Sequence, residues 1–144
     1  MNADFPNITI LGGGLLGGSL AMALAGKSNA VRLWSRREET AQTAREIGIH
    51  GATADLADAV KDADLLVLAV PVGSMAALVS RAMDAGLPAG CLITDVGSVK
   101  AAPHREIPPL LAGRGIDFIG SHPMAGSEQN GLEAASADLF QNAA

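Results

Sequence analysis

A histidine stands just past an apolar run in the stretch GSHPMAGSEQNG, residues 120–131. Ile116, Phe118 and Ile119 before it read as a strand. Ser121 precedes His122, and Ser127 and Glu128 follow, in a segment too glycine-rich and polar to be core. Imidazole titrates near neutral pH, so it suits removal of a hydroxyl proton as hydride leaves the same carbon. A second stretch, TDVGSVK, puts Asp95, Ser98 and Lys100 after another apolar run. If the two runs are neighbouring strands, their ends converge, and Ser98 comes within reach of His122. A serine hydroxyl there can orient the imidazole or bond a substrate oxygen. A lone histidine is more often structural or exposed than catalytic; the strand-end position is what favours chemistry here. His50 and His104 sit in ordinary surface contexts and read as inert. One cysteine and three histidines without ligand spacing argue against a metal site. A Ser–His hydrolase is disfavoured because no G-x-S-x-G elbow is present.

The third group of residues binds rather than reacts. GGGLLG holds Gly12, Gly14 and Gly17 at G-x-G-x-x-G spacing, directly after a strand and at the start of a helix. That context turns a weak pattern into a dinucleotide fingerprint. The first glycine allows the turn, the second admits a pyrophosphate, and the third lets helix approach strand. Amides at the helix start, from Leu15 and Leu16 onward, then face the anion. After the second strand an acidic residue would bond an adenosine 2′-hydroxyl. This chain has Ser35, Arg36 and Arg37 instead, groups that can hold a 2′-phosphate, so NADP is favoured, with NAD as the alternative. The lesser reading is that both arginines are solvated residues opening a helix. Val70, Pro71 and Gly73 either line the cofactor or form a plain turn. Asp95 and Gly97 are assigned to the cofactor side of the fifth strand's end.

Such residues need a frame that brings strand ends together. Apolar runs NITILGG, AVRLWS, DLLVLAV, GCLITDV and IDFIG alternate with helical segments, and HGATA adds a short strand. Asp55 is a natural N-cap, and Gly26 and Gly48 are natural stops. SVKAAPHREIPPLLAG is expected to be helical but broken, because Pro103 and Pro108 disturb a regular helix. GLEAASADLF is expected to form a last helix. Strict alternation predicts an α/β fold: a doubly wound, mostly parallel sheet of the Rossmann dinucleotide-binding type, occupying residues 1–144. Right-handed crossovers then gather the loops after the strands along one edge, where ligands bind.

The 144-residue length suits one domain with a real core. Apolar residues make up 49% but aromatics only 3%, which fits helices packed on a parallel sheet rather than an aromatic platform. Ten basic and fifteen acidic side chains give a formal net charge of −5, so there is no general attraction for nucleic acid or an anionic membrane. Residues 8–26 are apolar, but glycines interrupt them and no positive charge precedes them, which argues against a signal peptide or membrane span. The single Cys91 cannot form an internal disulfide, and a reducing cytoplasm is the simplest home.

Four segments together, ILGGGLLGGSLAMAL, VLAVPV, TDVGSVK and GSHPMAGSEQNGLEAASADLF, resemble the prephenate/arogenate dehydrogenase family of tyrosine biosynthesis. The resemblance covers essentially the whole chain, and its last two segments are the specific ones. It implies oxidation of prephenate at the ring hydroxyl carbon, hydride transfer to the nicotinamide, loss of carbon dioxide, and 4-hydroxyphenylpyruvate as product. His122 matches the family's proton-accepting histidine, and Ser98 the serine that bonds it. Glu128 matches an acidic residue at the substrate entrance, with Ser127 beside it and Ser121 and Lys100 on the substrate side. The family continues into a mostly helical second domain that builds a homodimer and supplies basic residues for the substrate carboxylates. This chain is therefore expected to be a piece of a dehydrogenase that binds dinucleotide but turns over little or nothing alone. Arogenate is the alternative substrate. β-Hydroxyacid dehydrogenases and imine reductases share the architecture but not the SHPMAG loop. A dinucleotide-sensing domain would leave that loop without a purpose.

Overall fold

The computed structural model describes residues 5–97, 100–122 and 131–141. Six strands form one all-parallel sheet: β1 (Asn7–Leu11), β2 (Ala30–Trp34), β3 (Ala52–Thr53), β4 (Leu65–Leu68), β5 (Leu92–Asp95) and β6 (Asp117–Gly120), in the order β3-β2-β1-β4-β5-β6. The order reverses between β1 and β4, as in dinucleotide-binding folds. The expected fold class is the observed one.

Strand alternation explains how two cores arise from one sheet. Successive side chains point to opposite faces. Ile8 and Ile10 of β1, Leu33 of β2 and Val67 of β4 pack in one cluster with Ala21, Ala41 and Ala44, from helices α1 (Leu15–Leu24) and α2 (Glu38–Glu46). Leu11, Trp34, Leu66, Leu68 and Ile93 face the other side. They pack with α3 (Leu56–Val60), α4 (Val72–Asp84) and α5 (Ala101–Leu111). Leu66 and Leu68 are fully buried, so truncating either to alanine would cost about 2–5 kcal/mol. Thr9, the polar exception in β1, is also fully buried, and its hydroxyl donates to the carbonyl of Ala59. Asp55 caps α3, its carboxylate accepting from the Asp58 amide.

Two expectations are corrected. α5 is continuous, not broken. Pro103 lies in its first turn, where an amide has no intrahelical partner in any case. Pro108 and Pro109 lie further in, but both are exposed, as are His104 and Arg105, whose carbonyls lose a partner; water can reach those carbonyls. The expected last helix is replaced by one 3-10 turn, Leu132–Ala134, followed by turns. Ser136 diverts the chain: its amide donates to the buried hydroxyl of Ser19 at 2.9 Å, and its own hydroxyl accepts from the Asp138 amide at 3.2 Å. Such local and long-range bonds compete with a helical ladder. Among the described residues no helix is long and apolar enough to cross a membrane.

Candidate active site

The glycine loop begins where β1 ends, and its neighbours hold it tightly. The Gly12 amide donates to the Trp34 carbonyl at 2.8 Å, while the Ala69 amide donates to the Leu11 carbonyl at 2.8 Å. Gly12 has φ +125°, and a methyl there would lie 2.2 Å from the Ala69 carbonyl oxygen. On Gly17 a methyl would lie 1.9 Å from the Gly12 carbonyl oxygen. These two glycines are required by the protein's own packing. At Gly14 a methyl would meet nothing within 4 Å, so the space beside it is free for a ligand. The Gly18 amide is the first to bond back along α1, to the Gly14 carbonyl at 2.9 Å. The amides of Leu15, Leu16 and Gly17 therefore lack intrahelical acceptors, as expected of a helix start offered to an anion. The side chain of Leu16 serves the core.

From this loop runs a groove of about 620 Å³. Gly12, Gly13 and Gly14 form its floor, and Trp34, Ser35 and Arg36 one wall. Val70, Pro71, Gly73 and the α4 side chains Ser74, Ala77, Leu78 and Arg81 form the other. The structure separates the two neighbouring arginines: Arg36 lines the groove, whereas Arg37 is the exposed residue capping α2 and is absent from the lining. Its position at the helix start is why: α2 turns the chain away from the sheet edge immediately after Arg36. Arg81 and Trp34 escaped the sequence reading. The spacing Ser74, Leu78, Arg81 puts them on one helical face, which was the available signal.

Further along the same edge, β5 and β6 pair with Asp95 opposite Gly120. Asp95 is fully buried. Its carboxylate accepts from the Gly97 amide at 3.1 Å, from the Ser121 amide at 3.3 Å, and from the Lys100 ammonium in an ion pair. The Ser121 hydroxyl donates to the Asp95 carbonyl. Through Asp95 these contacts tie together the segments that leave β5 and β6. They also occupy Lys100, expected on the substrate carboxylates, within the protein. Ser121 is held in the same way, although it is exposed.

His122 follows directly and is exposed at the sheet's carboxyl edge. Ser98, Ser127 and Glu128 lie outside the described residues. His104, read from sequence as inert, is exposed but not isolated. Its ring packs edge-on against Phe118, with centroids 5.4 Å apart, and a methyl on Gly120 would stand 2.8 Å from it. It closes over the strand end from which His122 departs. His50 is exposed, as expected.

Likeness to known proteins decides what kind of edge this is. The family model described as prephenate dehydrogenase, nucleotide-binding domain, matches residues 19–144. The chain belongs to that family. It is 37% identical over 137 residues to a prephenate dehydrogenase of Lactococcus lactis, covering 94% of this chain and 39% of that protein. It is 38% identical over 141 residues to a cyclohexadienyl dehydrogenase of Zymomonas mobilis, covering 96% and 47%. Among solved structures, it resembles the prephenate dehydrogenase of A. aeolicus in complex with hydroxyphenyl propionate and NAD+, with TM-score 0.85 and 26% identity, covering 99% of this chain and 50% of that one. The arogenate dehydrogenase of Synechocystis matches with TM-score 0.82 and 31% identity, covering 95% and 48%. The chain thus spans about half the length, or less, of the relatives it matches.

Proposed function

We propose that this chain is the cofactor-binding and proton-accepting part of an NAD(P)-dependent dehydrogenase of tyrosine biosynthesis. The full-length enzyme would oxidatively decarboxylate prephenate to 4-hydroxyphenylpyruvate, in the cytoplasm and as a homodimer. One observation carries the reading: the glycine cradle and its groove, at the ends of β2, β1 and β4, lie on the same sheet edge from which His122 departs after β6. The groove suits a dinucleotide. It has open space at Gly14, uncommitted helix-start amides, and cationic groups toward the end of β2. Ser35 and Arg36, with no carboxylate among the residues lining the groove, support NADP over NAD. The A. aeolicus structure was solved with NAD+, which supports the nicotinamide class and not this preference.

Bound NAD(P) supplies the hydride acceptor. His122 takes the proton from the substrate's ring hydroxyl as the carbon–hydrogen bond breaks. Ser98 orients the imidazole. Departure of the ring carboxylate as carbon dioxide leaves its electron pair to aromatise the ring, and the phenolic oxygen takes a proton back. Gly97 and Ser121, fixed on Asp95, set where the two loops leave the sheet. Ser127 and Glu128, by the family resemblance, would serve the substrate. Lys100 is paired with Asp95, so the substrate carboxylates depend on basic groups from the rest of the full-length protein.

Arogenate is the second reading, supported by the likeness to the Synechocystis enzyme. It shares the reacting ring and differs at the side chain. The test is reduction of NADP or NAD by the full-length protein, followed by nicotinamide absorbance, with prephenate and arogenate offered separately. Reduction dependent on one of them supports the proposal; none with either sinks it.

A further inference from the structure

Arg81 is a charged residue of the groove that neither the glycine fingerprint nor the loop after β2 accounts for. It lies near the end of α4, on the face that also presents Ser74, Ala77 and Leu78 to the groove. Its guanidinium carbon is 5.8 Å from the centre of the Trp34 ring. Trp34 is 5% exposed, and its indole N–H donates to the Ala54 carbonyl at 3.1 Å, so the ring is a fixed platform. That distance is within cation–π range, so the Trp34 ring favours keeping the guanidinium beside the groove. The peptide after Trp34 carries Ser35 and Arg36, which line the same groove. Ion pairs among the described residues engage Arg32, Arg45, Lys61, Lys100 and Arg105, but neither Arg36 nor Arg81. Two guanidiniums with no ion-pair partner among the described residues thus line one groove, which suits it to an anion.

We propose that Arg81 is a specificity-determining residue: together with Ser35 and Arg36 it holds the 2′-phosphate of NADP, gripping from α4 what Arg36 grips from the end of β2. This rests on the reading of the groove as the dinucleotide site. The assignment divides the discriminating charge between α4 and the end of β2, so the preference for NADP does not depend on the residues after β2 alone. A guanidinium that merely stacked on adenine would serve NAD and NADP alike, which separates that role from this one.

The experiment is calorimetric titration of the unaltered protein, of Arg81→Met and of Arg36→Met with NADP, NAD and adenosine 2′,5′-bisphosphate. Arg81 is exposed, and methionine keeps its helical stem, so thermal melting without ligand should be unchanged. The expected result is that Arg81→Met weakens NADP and the bisphosphate about tenfold or more and NAD less than about twofold, roughly the loss of one charge-assisted contact. Arg81→Lys should recover part of the NADP affinity. Equal weakening of NADP and NAD would assign Arg81 to adenine stacking and overturn the proposal, as would no change with any ligand. If the unaltered protein binds NADP no tighter than NAD, both this proposal and the NADP preference fall. If it prefers NADP and Arg81→Met keeps that preference, this proposal alone falls.

Discussion

Asp95 on β5 holds Ser121 just beyond β6: the Ser121 amide donates to the buried carboxylate at 3.3 Å, and its hydroxyl donates to the Asp95 carbonyl. The bond spans 26 residues and fixes the last point of the sheet before His122. A carboxylate with no solvent contact must be matched by donors, and Gly97, Lys100 and Ser121 supply them. Removing it strands the Lys100 ammonium and two amides. Asp95→Ala should therefore lower stability by about 3 kcal/mol, the low end for breaking a buried pair, because Lys100 keeps some solvent contact. Chemical denaturation measures this. A loss below about 1 kcal/mol would contradict the assignment of Asp95 as the tie between the two loops.

The three glycines of the fingerprint should separate into two classes. Gly12→Ala and Gly17→Ala force a methyl against backbone carbonyls at 2.2 and 1.9 Å, and should melt at lower temperature with or without ligand. Gly14→Ala places its methyl in open space at φ −91°, so melting without ligand should move by no more than about 0.5 kcal/mol. Its dinucleotide affinity should nevertheless fall, because the methyl occupies the room left for the pyrophosphate. Unchanged affinity in Gly14→Ala would show that the anion sits elsewhere.

Cys91, 2% exposed, has its thiol pushed up from 9.0 to about 12 by burial, with the charge of Asp64 adding to the effect. The folded protein keeps this proton at alkaline pH values where the unfolded chain loses it. Between about pH 9 and 12 the unfolded state binds fewer protons, so stability falls as pH rises through that window. Cys91→Ala removes this dependence. Comparing unfolding free energies of the two proteins at pH 8 and about pH 10 tests it: equal pH slopes would contradict the burial account. The same burial predicts slow labelling by thiol reagents in the folded state at neutral pH.

The frame was readable from sequence because buried parallel strands form continuous apolar runs, of which Leu65–Leu68 is the plainest, and because Gly12, Gly14 and Gly17 stand where a strand passes into a helix. The missing last helix was not readable. GLEAASADLF has good helix formers, and what overrides them is a bond from Ser136 to Ser19, which is distant in sequence. The pairing of Lys100 with Asp95 was hidden for the same kind of reason: it is fixed by how β5 and β6 end, not by local pattern. Arg81 stayed hidden because it meets Trp34 only when α4 has folded back beside β2.

The central claim is that His122 accepts the substrate's proton at the edge that also binds the cofactor. Replacing it by asparagine in the full-length protein, and measuring turnover of prephenate alongside cofactor affinity, tests this most directly. The account predicts that turnover falls by about 10²–10⁴-fold while affinity for NAD(P) stays within about twofold. Turnover that survives His122→Asn, or turnover lost only in step with cofactor binding, would contradict it.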